Sequence, residues 1–334
     1  MNLRDVAALA RVDVSTASRV LSGDMSQRVG SETRKRIVEA AKEIGYRPNT
    51  VARALRTARS MALGIVVPQL DNPVFSSAIR GAERAAAARG YSLLITHRDP
   101  RRPTAGEYQR LAATHHVDGL LVASLDEDQN LIEALEETGI PFVLMNRRIG
   151  SAPAVALDTY EAARMGTEHL LDLGHRRIGH LAGRLEGFNG QARLLGYRAA
   201  LEARGTAFEP DLVEPAGYTA LGGRDAMARF LARASRRPTA VLAATLVSAA
   251  GALGALHQAG MAVPDELSIV AVHDAPFATM VYPQLTTVQT PVDEMGARAV
   301  ELLMSLISGE TPAEVPLLAP KGLIVRQSSC PPLR

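Results

Sequence analysis

The chain has 334 residues and a single cysteine, Cys330. That excludes a disulfide framework and any cysteine-rich zinc site. Lying close to the end of the chain, Cys330 is also a poor candidate for a buried nucleophile. The opening run MNLRDVAALA has no apolar core behind a basic start, so no secretory signal is expected and the expected home is the cytoplasm. Catalytic signatures are missing as well. No lysine follows a glycine, which removes the GxxxxGK[ST] phosphate loop. No two glycines are separated by one residue, which removes GxGxxG, and neither GxSxG nor HExxH occurs. The adjacent pair His115-His116 reads as a loop end before a strand rather than a metal site. No cofactor is expected, and catalysis finds no support. Charge is absent from Pro238 to Pro264, long enough to span a bilayer. The run is mostly Ala, Gly, Thr and Ser, however. It divides into an expected strand, Ala240–Thr245, and an expected helix, Val247–Gln258, so no membrane partner is anticipated.

What is present is unevenly distributed. The length suggests about two domains. Net charge is +2, but the first 60 residues carry twelve Arg or Lys against six Asp or Glu. A head of +6 therefore precedes a body of −4, an asymmetry that points to a nucleic-acid-binding end. The head reads as short helices. Asn2 can cap the first, with Val6, Leu9 and Ala10 as its apolar stripe. After a turn at Arg11-Val12, Asp13 can cap a second helix that turns Ala17, Val20 and Leu21 inward. Ser31 is expected to cap a third, with Ile37, Ala41 and Ile44 at helical spacing and Gly45 ending it. Two short helices joined tightly and buttressed by a third make a helix-turn-helix. Such a motif reads bases through the N-terminal side chains of its second helix, here Val14, Ser15 and Thr16, then Ser18 and Arg19. Asn2 is counted with this DNA-facing set. Beyond Pro48, Asn49 can cap a helix of about nine residues with little apolar surface, marginal on its own.

From Met61 short apolar runs alternate with amphipathic helices. Strands are expected at Leu63–Pro68, Ser92–Thr96, Gly119–Ala123, Phe142–Asn146, Ala154–Asp158, Ile178–Ala182, Ala240–Thr245 and Ser268–His273. Helices are expected between them, among others at Val74–Arg89, Asn130–Glu137, Tyr160–Leu173, Gln191–Ala203 and Asp293–Ser308. That alternation means βαβ units and parallel sheets, too many strands for one small sheet, hence two lobes.

The runs DVAALARVDVSTASRVLSG and VGSETRKRIVEAAKEIGYRPNTVARALRT resemble the lactose/purine repressor family of bacterial transcription factors. The resemblance continues through GIVVPQLDNPVFSSAIRGAERAAAARGY, LLDLGHRRIGHLAG and VPDELSIVAVHDAP to YPQLTTVQTPVDEMGARAVELL, and so covers essentially the whole chain. It implies a small all-α helix-turn-helix domain plus an α/β core of two doubly wound parallel-sheet lobes of periplasmic-binding-protein type. It implies a homodimer, with a tetramer left open, on a pseudo-palindromic double-stranded operator. In that reading Leu55 matches a leucine wedge in the minor groove with Ala52 beside it, while Tyr46 and Asn49 support the head and touch phosphate. Family members usually carry a few more residues before this N-terminus, so either a phosphate contact is missing here or the start is misassigned.

The resemblance also assigns effector positions at strand ends: Asp71 and Phe75 in DNPVF, Asn146 and Arg147 after the Phe142 strand, Arg193 in GFNGQAR, Tyr218, and Asp274 in VHD. Two departures stand out. Thr245 falls where sugar-responsive members often begin Asn-Asp, and His273 where Phe or Tyr is usual. Expected boundaries are a head at 1–47 and a linker at 48–59. The N-terminal lobe takes 60–158 and 291–320, the C-terminal lobe 159–290 and 321–334. The expected function is a nucleoid-associated transcriptional regulator, read as a repressor, controlled by a sugar or related metabolite. The body alone would suit a periplasmic solute receptor, but the basic head and the missing signal argue against that.

Overall fold

The structure is a computed structural model that describes residues 2–21, 29–46, 59–70, 72–97, 108–109, 116–123, 130–233, 236–311 and 313–333. The expected helix after Pro48, with Asn49, Ala52 and Leu55, lies outside the described residues, and so does Asp71. The chain divides into two compact units, residues 1–60 and 61–334.

In the first unit α1 (Leu3–Leu9), α2 (Val14–Leu21) and α3 (Ser31–Glu43) enclose a small core. Val6, Ala7 and Ala10 meet Ala17, Val20, Ile37, Ala40 and Ala41 there. The Asn2 side chain accepts from the backbone N–H groups of Arg4 and Asp5, and the Asp5 carboxylate accepts from Asn2 N at 2.7 Å. This reciprocal box satisfies N–H groups that a helix start leaves without intrahelical partners. Arg11 takes a left-handed φ of 52° in the turn, and Asp13 then accepts from Ser15 N at 2.7 Å. Arg36 on α3 donates to the carbonyl of Ala10 at 2.8 Å, tying α3 to the end of α1.

Two expectations for the head are corrected. Leu9 is 45% exposed, and Ala7 is buried in its place. At 100° per residue, positions 6, 7 and 10 share one face, whereas position 9 falls beyond its edge. Ser31 does not cap α3. It is already the first helical residue, and Gly30 occupies the cap position with no side-chain bond.

The second unit contains two sheets. The first takes β1 (Ala62–Val67), β2 (Ser92–His97), β3 (Leu120–Val122), β4 (Phe142–Met145) and β5 (Ala154–Val155), all parallel, in the order β2-β1-β3-β4-β5. The second takes β6 (Ile178–Ala182), β7 (Val213–Pro215), β8 (Ala240–Ala243), β9 (Ser268–Val272), β10 (Thr286–Gln289) and β11 (Gly322–Ile324). Its order is β11-β10-β9-β8-β6-β7, parallel except for the pair β10 and β11. Strands β1, β3, β8 and β9 are buried along their whole length, which is why they read as apolar runs, broken only by Ser268 at the start of β9. The uncharged run from Pro238 to Pro264 resolves into β8 and a helix, Leu246–Gln258. Among the described residues no helix is long and apolar enough to cross a membrane.

The chain passes between the lobes three times. It leaves the first sheet after Leu157, which bridges in parallel to Leu318. It returns after β10 as the helix Val292–Ile307, which packs into the first lobe's core beside the helix Pro73–Ala87. It leaves again after Leu318 to form β11. The two helices of the second passage touch backbone to backbone: a Cβ on Gly81 would sit 1.8 Å from the Asp293 carbonyl oxygen, and one on Gly296 2.0 Å from that of Ala78. The strand expected over Ala154–Asp158 is continuous only to Val155, and beyond it only Leu157 pairs, bridging Leu318. The helix expected from Gln191 begins at Phe188, and a helix at Ala220–Leu231 joins those expected.

Candidate functional site

The helix-turn-helix presents its second helix outward. Val14 is 38% exposed and Ser15 is exposed, while Thr16, Ser18 and Arg19 are half-buried. Ala17 and Val20 are the buried residues of this helix, so burial and exposure divide at helical period. The Ser15 hydroxyl, then its backbone N–H, hold the Asp13 carboxyl below its ordinary range, and Arg19 adds attraction. A negatively charged cap is thereby fixed at the start of the helix that carries the exposed set. Tyr46, just past α3, packs half-buried against the head's core.

In the second unit a cavity of about 50 Å³ opens between the two lobes, at the carboxyl ends of the parallel strands. From the first lobe come Gln69 after β1, Asn72 and Phe75 at the start of the helix Pro73–Ala87, Ala123 after β3, and Asn146 after β4. From the second come Asn189 and Arg193 on the helix Phe188–Ala203, Tyr218, Thr245 at the cap of the helix Leu246–Gln258, and His273 after β9. The space suits a few waters rather than a ring-bearing ligand.

Arg193 is 2% exposed, and its guanidinium lies 5.9 Å from the centre of the Tyr218 ring. One of its terminal nitrogens is 2.9 Å from Nε2 of His273. A guanidinium only donates, so Nε2 accepts, and the imidazole proton sits on Nδ1 and is donated to Thr290 Oγ1 at 2.7 Å. Burial, then the charge of Arg193, push the His273 imidazole well below its usual range and keep it neutral. His180 on β6 donates from Nδ1 to the carbonyl of Leu242 at 3.0 Å and stacks on Tyr197. Burial pushes it down to about 4.

Asn146 and His273 both take left-handed torsions, φ 59° and 72°, where β4 and β9 give way to the cleft. Asparagine tolerates this; for histidine the cost is roughly 1 kcal/mol, held by its surroundings. Thr245 is engaged in a reciprocal cap with Ser248, its hydroxyl accepting from Ser248 N at 3.2 Å while it borders the cavity.

Two of the residues assigned to the effector lie outside this cavity's lining. Arg147, next in the chain to Asn146, is buried but not part of the lining. Asp274 turns the other way, bonded to Arg326 at 2.8 Å and accepting from Thr287 Oγ1 at 2.6 Å. Several lining residues were not singled out from the sequence, above all Asn189. Its amide donates to the carbonyl of Asn146 at 2.6 Å across the lobes, and its Oδ1 accepts from Thr159 at the first passage. The available signal was the setting GFNG, since a Cβ on Gly190 would fall 1.6 Å from the Arg184 carbonyl oxygen and fix the turn there.

A helix-turn-helix head followed by a two-lobed receptor core defines a DNA-binding regulator. Residues 2–49 match the model of the bacterial regulatory proteins of the lacI family, and residues 167–329 that of the periplasmic binding protein-like domain. The HTH-type transcriptional regulator CelR of Thermobifida fusca is 35% identical over 98% of this chain and 97% of its own length. A solved complex of the transcriptional regulator CelR with cellobiose superimposes with a TM-score of 0.72 at 34% identity, covering 98% of this chain and 99% of that one. The lac repressor dimer bound to operator and the anti-inducer ONPF gives a TM-score of 0.82 at 26% identity, with 99% of both chains covered. The chain belongs to the lacI family of bacterial regulatory proteins, and it is a DNA-binding transcriptional regulator rather than an enzyme.

Proposed function

We propose that this regulator acts as a homodimeric repressor whose hold on a pseudo-palindromic operator is set by a sugar in the interlobe cleft. The cleft carries this reading: residues from both lobes converge at strand ends around a deeply buried arginine. The cellobiose in the CelR complex and the operator under the lac repressor dimer support the same assignment. The head spans 1–47 and the linker 48–59. The N-terminal lobe is 60–158 with 291–320, the C-terminal lobe 159–290 with 321–334. Val14, Ser15, Thr16, Ser18 and Arg19 read the major groove, and Asn2, Tyr46 and Asn49 hold the backbone. Leu55, with Ala52, wedges the minor groove. Phe75, Asn146, Arg193, Tyr218, Thr245 and His273 surround the effector, joined by Asp71, Arg147 and Asp274 when the lobes move. The protein works in the cytoplasm on the nucleoid.

A sugar favours one lobe arrangement over the other, and that difference is what reaches DNA. A coupling of about 1–3 kcal/mol changes operator affinity roughly 5- to 150-fold. The test is a thermal-shift series with cellobiose, other sugars, nucleosides and organic acids, followed by operator titration with each compound that shifts melting. A compound that stabilises the body and changes operator affinity is expected. Stabilisation without any change in operator affinity would remove the effector reading. Leu55→Ala should weaken specific operator binding and spare effector affinity; unchanged operator affinity would remove Leu55 as the wedge.

A further inference from the structure

We propose that His273 is a positioning residue: its imidazole aims Arg193 into the cleft and ties that guanidinium to Thr290, where the chain passes back to the first lobe. The inference rests on the cleft being the effector site. Both ring nitrogens are committed, Nε2 to Arg193 at 2.9 Å and Nδ1 to Thr290 Oγ1 at 2.7 Å, so the ring has no free edge about which to turn. The three partners come from three elements. Arg193 is on the helix Phe188–Ala203, His273 ends β9, and Thr290 lies between β10 and the helix Val292–Ile307, which packs into the first lobe. Within the lining, His273 has one accepting nitrogen and offers it to the guanidinium. The left-handed backbone at His273 sets the direction of the ring, and His273 and Thr290 are both buried.

A ligand that draws Arg193 toward itself therefore pulls on His273, and through it on the second passage. This is a different role from touching the ligand. A residue that merely filled the space would serve equally well without either nitrogen.

The two nitrogens can be separated by substitution. Asparagine carries its amide near the place of Nδ1, glutamine near that of Nε2. His273→Asn keeps a donor for Thr290 and removes the acceptor for Arg193; His273→Gln does the reverse. In full-length protein, nitrogen-edited NMR of the histidine rings and arginine Nη–H groups reads the arrangement without any ligand. His273 should be a single Nδ1–H tautomer. The slowly exchanging Nη–H signal of Arg193, identified by its loss in Arg193→Ala, should persist in His273→Gln and vanish in His273→Asn. Arg193→Ala should release the second tautomer, because the Thr290 hydroxyl can donate as well as accept. An Nε2–H tautomer in the native protein, or an Arg193 signal that survives in His273→Asn, would overturn the proposal. If His273→Asn does not fold, the tautomer in Arg193→Ala decides: an Nδ1–H form as exclusive as in the native protein would overturn the proposal. Calorimetry with cellobiose then adds the ligand: affinity should fall about tenfold or more in His273→Asn and less in His273→Gln. Equal losses in both variants would overturn the positioning role. A native protein with the expected NMR pattern but no response to cellobiose would count against the sugar reading alone.

Discussion

The head and the body use arginine in opposite ways. In the head Arg19 lies half-buried on a helix whose outward residues are Val14 and Ser15. In the body Arg193 is sealed between helix and sheet, held by an imidazole and facing an aromatic ring. The first arrangement suits a polyanion, which gains from accessible charge and can be met without deforming the protein. The second suits a small ligand, for which desolvated, prealigned donors give selectivity. On the proposed reading, Arg19 contributes to binding with little effect on folding, and Arg193 contributes to both. Histidine divides the two parts as well: all eight lie beyond residue 60.

The strongest way to break this comparison is to separate the parts. Deleting residues 1–58 should lower operator affinity by about a thousandfold or more, the usual gap between specific and non-specific binding, while the body melts cooperatively. Specific binding that survived in a gel-shift or anisotropy titration would sink the division of labour.

Next in size is Arg193→Ala. The effector response should vanish and operator affinity should stay put. Body stability should fall by about 1–3 kcal/mol in urea, because Nε2 of His273 is left buried without its donor. A normal response would move the pocket elsewhere.

Acid gives a third contrast. His180 stays neutral in the folded body down to about 4, whereas its unfolded counterpart takes up a proton near 6.5. Its contribution is therefore intact above 6.5 and is lost as pH falls from there toward 4, by about 2 kcal/mol on reaching pH 5. His273, also pushed down, acts in the same direction. Urea unfolding of the body should weaken over that interval, and His180→Phe should flatten the slope. A slope unchanged in His180→Phe would show that His180 is not the group responsible.

The smallest effect should come from Arg19→Ala, a loss of about 1 kcal/mol or somewhat more in operator affinity with stability within about 0.5 kcal/mol of native. A large drop in melting temperature would mean that Arg19 belongs to the head's fold instead.

Legibility in the sequence followed burial. The strands β1, β3 and β8 stand out because both faces are covered, so no position is polar. By contrast, β10 has two threonines at buried positions, and β11 is short and half-buried, so neither has a hydrophobic signature. The helix Ala220–Leu231 hides behind Gly222 and Gly223. Both are there for close approach, since a Cβ on either would fall 2.0 Å from a carbonyl oxygen, of Ala216 and Ser248 respectively. For the cleft, family motifs pointed to Phe75, Asn146, Arg193, Tyr218, Thr245 and His273, which all line one cavity. They did not point to Asn189, whose work is a hydrogen bond to a main-chain carbonyl 43 residues away. Nor did they give the orientation of Asp274, which depends on Arg326, brought beside it only by the third passage of the chain.

That threefold passage makes the last stretch of the gene common property of both lobes. Residues 292–307 complete the core of the first lobe, and residues 322–324 close the edge of the second. A frameshift after residue 290 strips both lobes of a structural element yet leaves the coding sequence of the head untouched. Mutations of this kind should behave as whole-body nulls that still encode an intact DNA-binding segment. Neither lobe can be inherited, duplicated or exchanged as a single uninterrupted piece.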